Sequence, residues 1–318
     1  MLGRLLLPLG LRIADLIAGR LPASIAYALA DLAGETWYRA APGRRGVVSE
    51  NLRHVSAATG RPTTGPAFRR LVRQAFIEHA RYYLELLRGP HYPLDRIDET
   101  VSTLEWDRWD PVVRGGVVIV TAHLGNFEPY GTFLAHRGLK ALAPVERIQP
   151  PELFEFLLAR RGGGRGVTLV PLDVARRPMI DALKRREIVA LIADRDLTGR
   201  GVPVRFFGQP TTMPAGPAQL ALMGNVPMMA AACLRTGHDT FEARAWLVNV
   251  ARTGDRRADV AALTQALTHR LEEAIASAPE QWWGSFQPIW PDQRSVRSTS
   301  HAARRARGAA PRATEAGT

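Results

Sequence analysis

The sequence predicts an α/β protein: a mixed, largely buried β-sheet flanked by helices, with a helical N-terminal segment. Three observations predict it. Residues 1–100 read mostly as helix, punctuated by Pro and Gly. From 101 onward, short Val- and Ile-rich runs alternate with helical stretches, the pattern of strands connected by crossover helices. The run VVIV at 117–120 is unbroken by any polar residue, as expected of a central strand buried on both faces.

The elements follow in order. Helices are expected over 2–19, 23–40, 44–57 and 66–88, the last stopped by Arg88-Gly89-Pro90. The first carries an apolar face of Leu5, Leu6, Leu9, Leu11, Ile13, Leu16 and Ile17, broken by Arg4, Arg12, Asp15 and Arg20. Those charges interrupt it too early for a cleaved signal segment. The pattern suits a helix lying in a membrane interface; the alternative is an ordinary helix packed on the core. No stretch reaches the ~18 uninterrupted apolar residues of a spanning helix, so a peripheral protein on the cytoplasmic face of the membrane is expected. Strand 116–122 leads into a helix from about 126. Strand 139–145 precedes helix 151–161, strand 167–170 precedes helix 173–186, and strand 188–193 follows. Later strands are expected at 203–207, 226–234 and 240–250, with helices near 215–224 and 257–277. The N-terminal segment (1–100) and the α/β core (101–292) form one continuous domain in this reading, and a basic tail (293–318) is expected to be disordered.

Charge narrows the partners without choosing among them. Lys and Arg number 42 against 30 acids, a net +12 that calls for an anionic partner. No basic stripe with a recognisable nucleic-acid module is present, which sets nucleic acid aside in favour of an anionic membrane surface or a phosphate-bearing substrate. Cys233 is the single cysteine and lies in the apolar run MMAAACL, where burial is expected; disulfides are excluded. The eight histidines are scattered with no H-E-x-x-H spacing, so no metal site is expected.

The chemistry concentrates in GVVIVTAHLGNFEPYG, 116–131. His123 falls at the carboxyl end of the predicted strand, where open α/β sheets present their reactive groups. Gly125 permits a tight turn, Asn126 suits a helix cap, and Glu128 falls in the first helical turn, where the helix dipole favours a carboxylate. A histidine held by a nearby acid keeps one tautomer and serves as a general base. Spacing alone is weak support, since eight histidines and 30 acids in 318 residues yield about one such pair by chance. The strand, turn and helix around it carry the weight.

TAHLGNFE resembles the signature of the lysophospholipid acyltransferase superfamily, and more narrowly the bacterial branch of lipid A late acyltransferases and phosphatidylinositol mannoside acyltransferases. PVERIQPPELFEFLLARRG at 144–162 is similar to the second block of that branch. ADRDLTGRGVPVRFFGQPTTMPAGPAQLAL at 193–222 is similar to the third, and RRGVVSENLRHV at 44–55 matches the usual opening. The C-terminal PEQWWGSFQPIWPD departs from the basic, His-containing ending of lipid A acyltransferases, and TTMPAGPA is closer to the mannoside branch.

The resemblance implies a glycerolipid acyltransferase-like fold and transfer of a fatty acyl chain from acyl-CoA or acyl carrier protein to a glycolipid or phospholipid hydroxyl. A phosphatidylinositol mannoside-like acceptor is favoured, with a lipid A precursor as the alternative; a non-catalytic lipid-binding member lies outside both. It implies no cofactor beyond the acyl donor. His123 would be the base, oriented by Glu128. The Gly125 and Asn126 backbone would stabilise the oxyanion. Arg147 and Arg195 would hold phosphate or sugar, and Asp194 and Asp196 would fix Arg195 or bind sugar hydroxyls. For Asp194-Arg195-Asp196, a structural ion-pair cluster is the competing expectation. The acyl chain would lie against residues such as Phe127, Phe133 or Phe206-Phe207, each of which is as readily ordinary core.

Overall fold

A computed structural model describes residues 10–290, apart from 11, 13, 93, 163–165 and 198. Four helices open the described chain: α1 (14–20), α2 (Ala23–Ala40), α3 (Pro42–Ala58) and α4 (Gly65–Arg88). There follow α5 (Ile97–Thr100), β1 (Val101–Thr103), α6 (Trp106–Arg114), β2 (Val117–Thr121), α7 (Glu128–His136), β3 (Ala141–Val145), α8 (Pro151–Gly162), β4 (Val167–Pro171), α9 (Arg176–Lys184) and β5 (Ile188–Ile192). A hairpin of β6 (Val202–Phe206) and β7 (Gln209–Met213) precedes α10 (Gly216–Gly224), β8 (Met228–Gly237), β9 (Thr240–Val248) and α11 (Arg256–Ser277). The chain then runs through two short 3-10 turns, Pro279–Gln281 and Trp283–Phe286. The expected tail and most of the expected apolar face of the first helix lie outside the described residues.

Seven strands form one mixed sheet in the order β1-β9-β8-β2-β5-β3-β4. β2, β5, β3, β4 and β8 run parallel, while β9 is antiparallel to β8 and carries β1 beside it. β2 sits in the middle, and its side chains alternate between two cores as a strand's period of two requires. Val118 and Val120 join the larger core, with Val48, Leu52 and Val55 of α3 and Phe68, Val72 and Phe76 of α4. Val117 and Ile119 join the smaller one, with Trp109 and Val113 of α6 and Tyr130, Phe133 and Leu134 of α7. The N-terminal helices therefore share a core with the sheet.

The sequence pattern located most of these elements but missed short ones. β1, α5 and α6 span three to nine residues each, too few for periodicity to declare itself. β7 (QPTTM) lacks a strong strand signal; it pairs with β6 through the two-residue turn Phe207-Gly208, both at positive φ, the geometry that matches hairpin twist. The stretch expected as one helix over 173–186 is a 3-10 turn, Leu172–Val174, followed by α9.

On α1, two large apolar side chains face outward, with Arg20 exposed as well. Asp15 and Ala18 are buried against the protein, with Asp15 paired to His91 at 3.2 Å, while Leu16 and Ile17 are exposed. α2 continues that pattern with exposed Ile25, Leu29 and Leu32. Among the described residues no helix is long and apolar enough to cross a membrane.

Candidate active site

β2 and β5 are parallel neighbours, with Thr121 opposite Ile192. Two residues beyond that pair, the chains deliver His123 and Asp194 to the same edge of the sheet. The result is a close dyad: His123 Nδ1 lies 2.6 Å from Asp194 Oδ1. The other carboxylate oxygen accepts the His123 backbone N–H at 3.0 Å and the indole N–H of Trp282 at 2.8 Å. Asp194 is completely buried. Burial opposes its ionised form, but the adjacent His123 ring and the three donors outweigh it, holding the carboxyl below the usual carboxylate range. With Asp194 accepting at Nδ1, the ring carries its proton there and presents a lone pair at Nε2. The edge of Trp283 packs against the same imidazole, with ring centroids 4.5 Å apart.

Glycine is required twice. Gly284 donates its N–H to the His123 carbonyl at 3.0 Å, and any Cβ there would collide with Asp194 Oδ2 and the Trp282 indole nitrogen. Gly125 has φ +59° and turns against β8, where a Cβ would strike the Cys233 carbonyl.

The structure redistributes the roles expected of the other residues. The Nδ1 partner of His123 is Asp194, not Glu128. Glu128 instead faces Arg161, its Oε1 lying 3.0 Å from the guanidinium Nε in a charge contact without good N–H alignment. Arg161 also donates to the Tyr82 hydroxyl at 2.7 Å. Burial raises the Glu128 carboxyl, and Arg161 partly offsets that. Spacing along the chain and a place in the first helical turn put Glu128 near His123; the register of β5 against β2 put Asp194 nearer, and no local pattern encodes that register.

The expected oxyanion donors are already engaged. Gly125 N–H donates to the Gln281 carbonyl at 3.0 Å and Asn126 N–H to the Cys233 carbonyl at 2.9 Å. Asn126 does cap, as expected, but from one residue further out: its Oδ1 accepts the Glu128 N–H at 3.1 Å. Asp196 is a loop pin, taking the N–H groups of Gly199 and Gly201 and the Thr212 hydroxyl. Arg195 pairs with Glu146 at 2.9 Å, and Arg147 approaches Asp173 at 3.4 Å on an exposed surface. Cys233 is buried, as expected.

Between the carboxyl ends of β2, β3 and β5 and the helix α7 lies an apolar cavity of about 110 Å³. Phe127, Gly131, Leu134, Ala143 and Leu169 line it, with Glu128 and Arg161 at its polar edge. Of the aromatic residues considered for an acyl groove, Phe127 is part of this wall. Phe133 is core, and Phe206 and Phe207 pack on Trp282 beside the hairpin. Among the described residues no cluster of His, Cys, Asp and Glu could hold a metal ion.

The profile of bacterial lipid A biosynthesis acyltransferases matches residues 8–290, nearly the whole described chain. The chain belongs to that family. Within it, the protein is 35% identical over 223 residues to a phosphatidylinositol mannoside acyltransferase of Mycobacterium tuberculosis, covering 67% of each chain. It is 34% identical over 227 residues to the protein of the same name from Mycolicibacterium smegmatis, covering 69% of this chain and 72% of that one. The protein is an acyltransferase acting on lipid-like acceptors, and the lipid A and mannoside branch indicated by TAHLGNFE is its own.

Proposed function

We propose that the protein moves a fatty acyl chain from a thioester donor, acyl-CoA or acyl carrier protein, to a hydroxyl of a phosphatidylinositol mannoside-like glycolipid at the cytoplasmic membrane surface. The observation that carries this is the His123–Asp194 pair at 2.6 Å, just past the carboxyl ends of β2 and β5, whose Thr121 and Ile192 line the apolar cavity. His123 Nε2 takes the proton of the acceptor hydroxyl as its oxygen attacks the thioester carbon. Collapse of the tetrahedral intermediate breaks the C–S bond, and the imidazolium returns the proton to the departing thiolate. Asp194 holds the tautomer and stabilises the imidazolium while it exists. The cavity takes apolar chain, each buried methylene contributing about 0.8 kcal/mol. Glu128 and Arg161 form the polar edge where chain gives way to headgroup. The match to mannoside acyltransferases and the C-terminal PEQWWGSF favour an inositol mannoside over a lipid A precursor as acceptor.

The exposed leucines and isoleucines of α1 and α2, with Arg12 and Arg20 beside them, support a peripheral mode of membrane attachment. His123→Ala should lower transfer by roughly 10²–10⁴-fold in a folded protein. Asp194→Asn, which no longer favours the imidazolium, should lower it by a comparable factor. Assays of purified protein with acyl-CoA and phosphatidylinositol mannoside check both; near wild-type turnover in His123→Ala would refute the mechanism. Mass spectrometry of lipids from a strain lacking the gene checks the acceptor, through the acylated species that disappears.

A further inference from the structure

Behind the turn that follows His123 lies a buried ionic cluster that the chemistry above does not use. Glu85 of α4 is its centre and is essentially inaccessible to solvent. The guanidinium of Arg235, at the end of β8, embraces both carboxylate oxygens, through Nε and through Nη2 at 2.9 Å, and its third nitrogen pairs with Glu78. The Tyr27 hydroxyl donates to Glu85 Oε1 at 2.7 Å. One further donor reaches Glu85, and it comes from the motif itself: Asn126 Nδ2, 3.0 Å from Oε2.

The Asn126 amide is thereby fixed at both ends. The Glu128 N–H only donates, so the amide's carbonyl oxygen must face Glu128 and its NH₂ group Glu85; burial pushes the Glu85 carboxyl up to about 8, but with the Arg235 guanidinium on both its oxygens it accepts from that NH₂. Reversing the amide would set donor against donor and acceptor against acceptor. The backbone repeats the arrangement. Asn126 N–H donates to the Cys233 carbonyl, and Gly125 N–H to the Gln281 carbonyl. The Gln281 side chain in turn exchanges two hydrogen bonds with the Arg235 main chain, at 2.8 and 3.0 Å. Residues 125–128 thus hang on β8 and on Glu85.

We propose that Glu85 is a positioning residue for acyl transfer: by orienting the Asn126 amide it sets the turn that places Glu128 and the entrance to the apolar cavity relative to His123. A buried ion pair is seldom worth more to stability than apolar residues of equal volume. Here one of its oxygens is spent on the catalytic turn. The inference rests on the assignment of His123 and Glu128 above, and its test has one readout that needs no substrate.

Three variants of the full chain decide it, with a fourth as control. Asn126→Asp turns a carboxylate towards Glu85, and Glu85→Gln offers an amide whose NH₂ competes for the same place. Each should lower kcat at least tenfold with little change in KM for acyl-CoA. The double variant Glu85→Gln/Asn126→Asp exchanges the two ends of the hydrogen bond: the new amide on α4 donates, and the new carboxylate in the turn accepts, while Arg235 Nη2 loses its acceptor in Glu85→Gln and in the double alike. It should recover most of the kcat that Asn126→Asp and Glu85→Gln each lose, a non-additivity expected of groups in contact or in one network. Hydrogen–deuterium exchange over 124–132 should accelerate in each single variant and slow again in the double, whatever the true acceptor lipid. Tyr27→Phe, the control, also removes a bond to Glu85 but leaves Asn126 untouched; it should lower the melting temperature and leave kcat as it was. Should Glu85→Gln fail to fold, Asn126→Asp and Tyr27→Phe still decide. The proposal is overturned if Asn126→Asp keeps wild-type kcat and exchange, if the double variant loses the product of the two single losses, or if Tyr27→Phe costs as much kcat as Asn126→Asp.

Discussion

Helices α2 and α4 lie against each other, yet they distribute their residues in opposite ways. α2 turns Ile25, Leu29 and Leu32 outward to solvent. α4 turns Glu78, Glu85 and Arg88 inward, all buried. A protein selected only for stability would do the reverse, because exposed leucines forgo burial and buried charges lose hydration. Both departures fit the proposals above: the outer one the proposed membrane-facing surface, the inner one the proposed scaffold behind the reactive turn. The inner charges are all paired. Arg81 pairs with Asp31 and Glu78, Arg88 with Asp239, and Arg235 with Glu78 and Glu85.

That contrast is open to experiment, and the largest effect should come from the inner charges. Arg235→Leu leaves Glu78 and Glu85 buried without their shared cation. The expected loss is about 3–5 kcal/mol of unfolding free energy. A urea midpoint equal to wild type would show that the cluster is not the scaffold described.

A smaller effect concerns His79, on the same helix. Burial, with the nearby His123 ring and Arg44, pushes it down from 6.5 to about 3. A depressed folded value means that stability is intact above the unfolded value, near 6.5, and is lost as pH falls from there towards about 3, because only the unfolded chain binds the proton. At pH 5 the loss from this group is about 2 kcal/mol. His79→Gln removes the titration, so unfolding free energy measured at pH 7 and at pH 5 should differ less in the variant than in wild type by that amount. Equal slopes would mean that His79 binds its proton as readily in the folded protein as in the unfolded chain.

The smallest effect on the fold should come from the outer face. Leu29→Gln combined with Leu32→Gln should change stability by no more than ~0.5 kcal/mol, since more than half of each residue is already exposed to water. The same pair should weaken binding to anionic vesicles markedly and slow transfer to a bilayer-embedded acceptor. Sedimentation with vesicles measures it, and unchanged binding would move the membrane contact away from α2.

The sequence by itself determined the elements whose pattern is local and long. The unbroken apolar run of β2, the stop at Arg88-Gly89-Pro90, and the helices at 66–88 and 257–277 are written in spacing that needs no partner to be read. It also placed His123 at a strand end, with a turn glycine after it and a capping Asn before the helix. The family followed from three blocks of wording, and the profile match over 8–290 agrees. What it did not determine was who stands beside whom. Asp194 lies 71 positions from His123 and meets it only because β5 lies parallel to β2 with Ile192 opposite Thr121. Glu85 lies 41 positions before Asn126, and Arg235 is 150 beyond Glu85. The outward face of α1 was equally undecided, since an amphipathic helix shows which residues share a face but not which face meets the core. Register and packing direction are set by the sum of many weak contacts across the sheet, so no short stretch of residues records them.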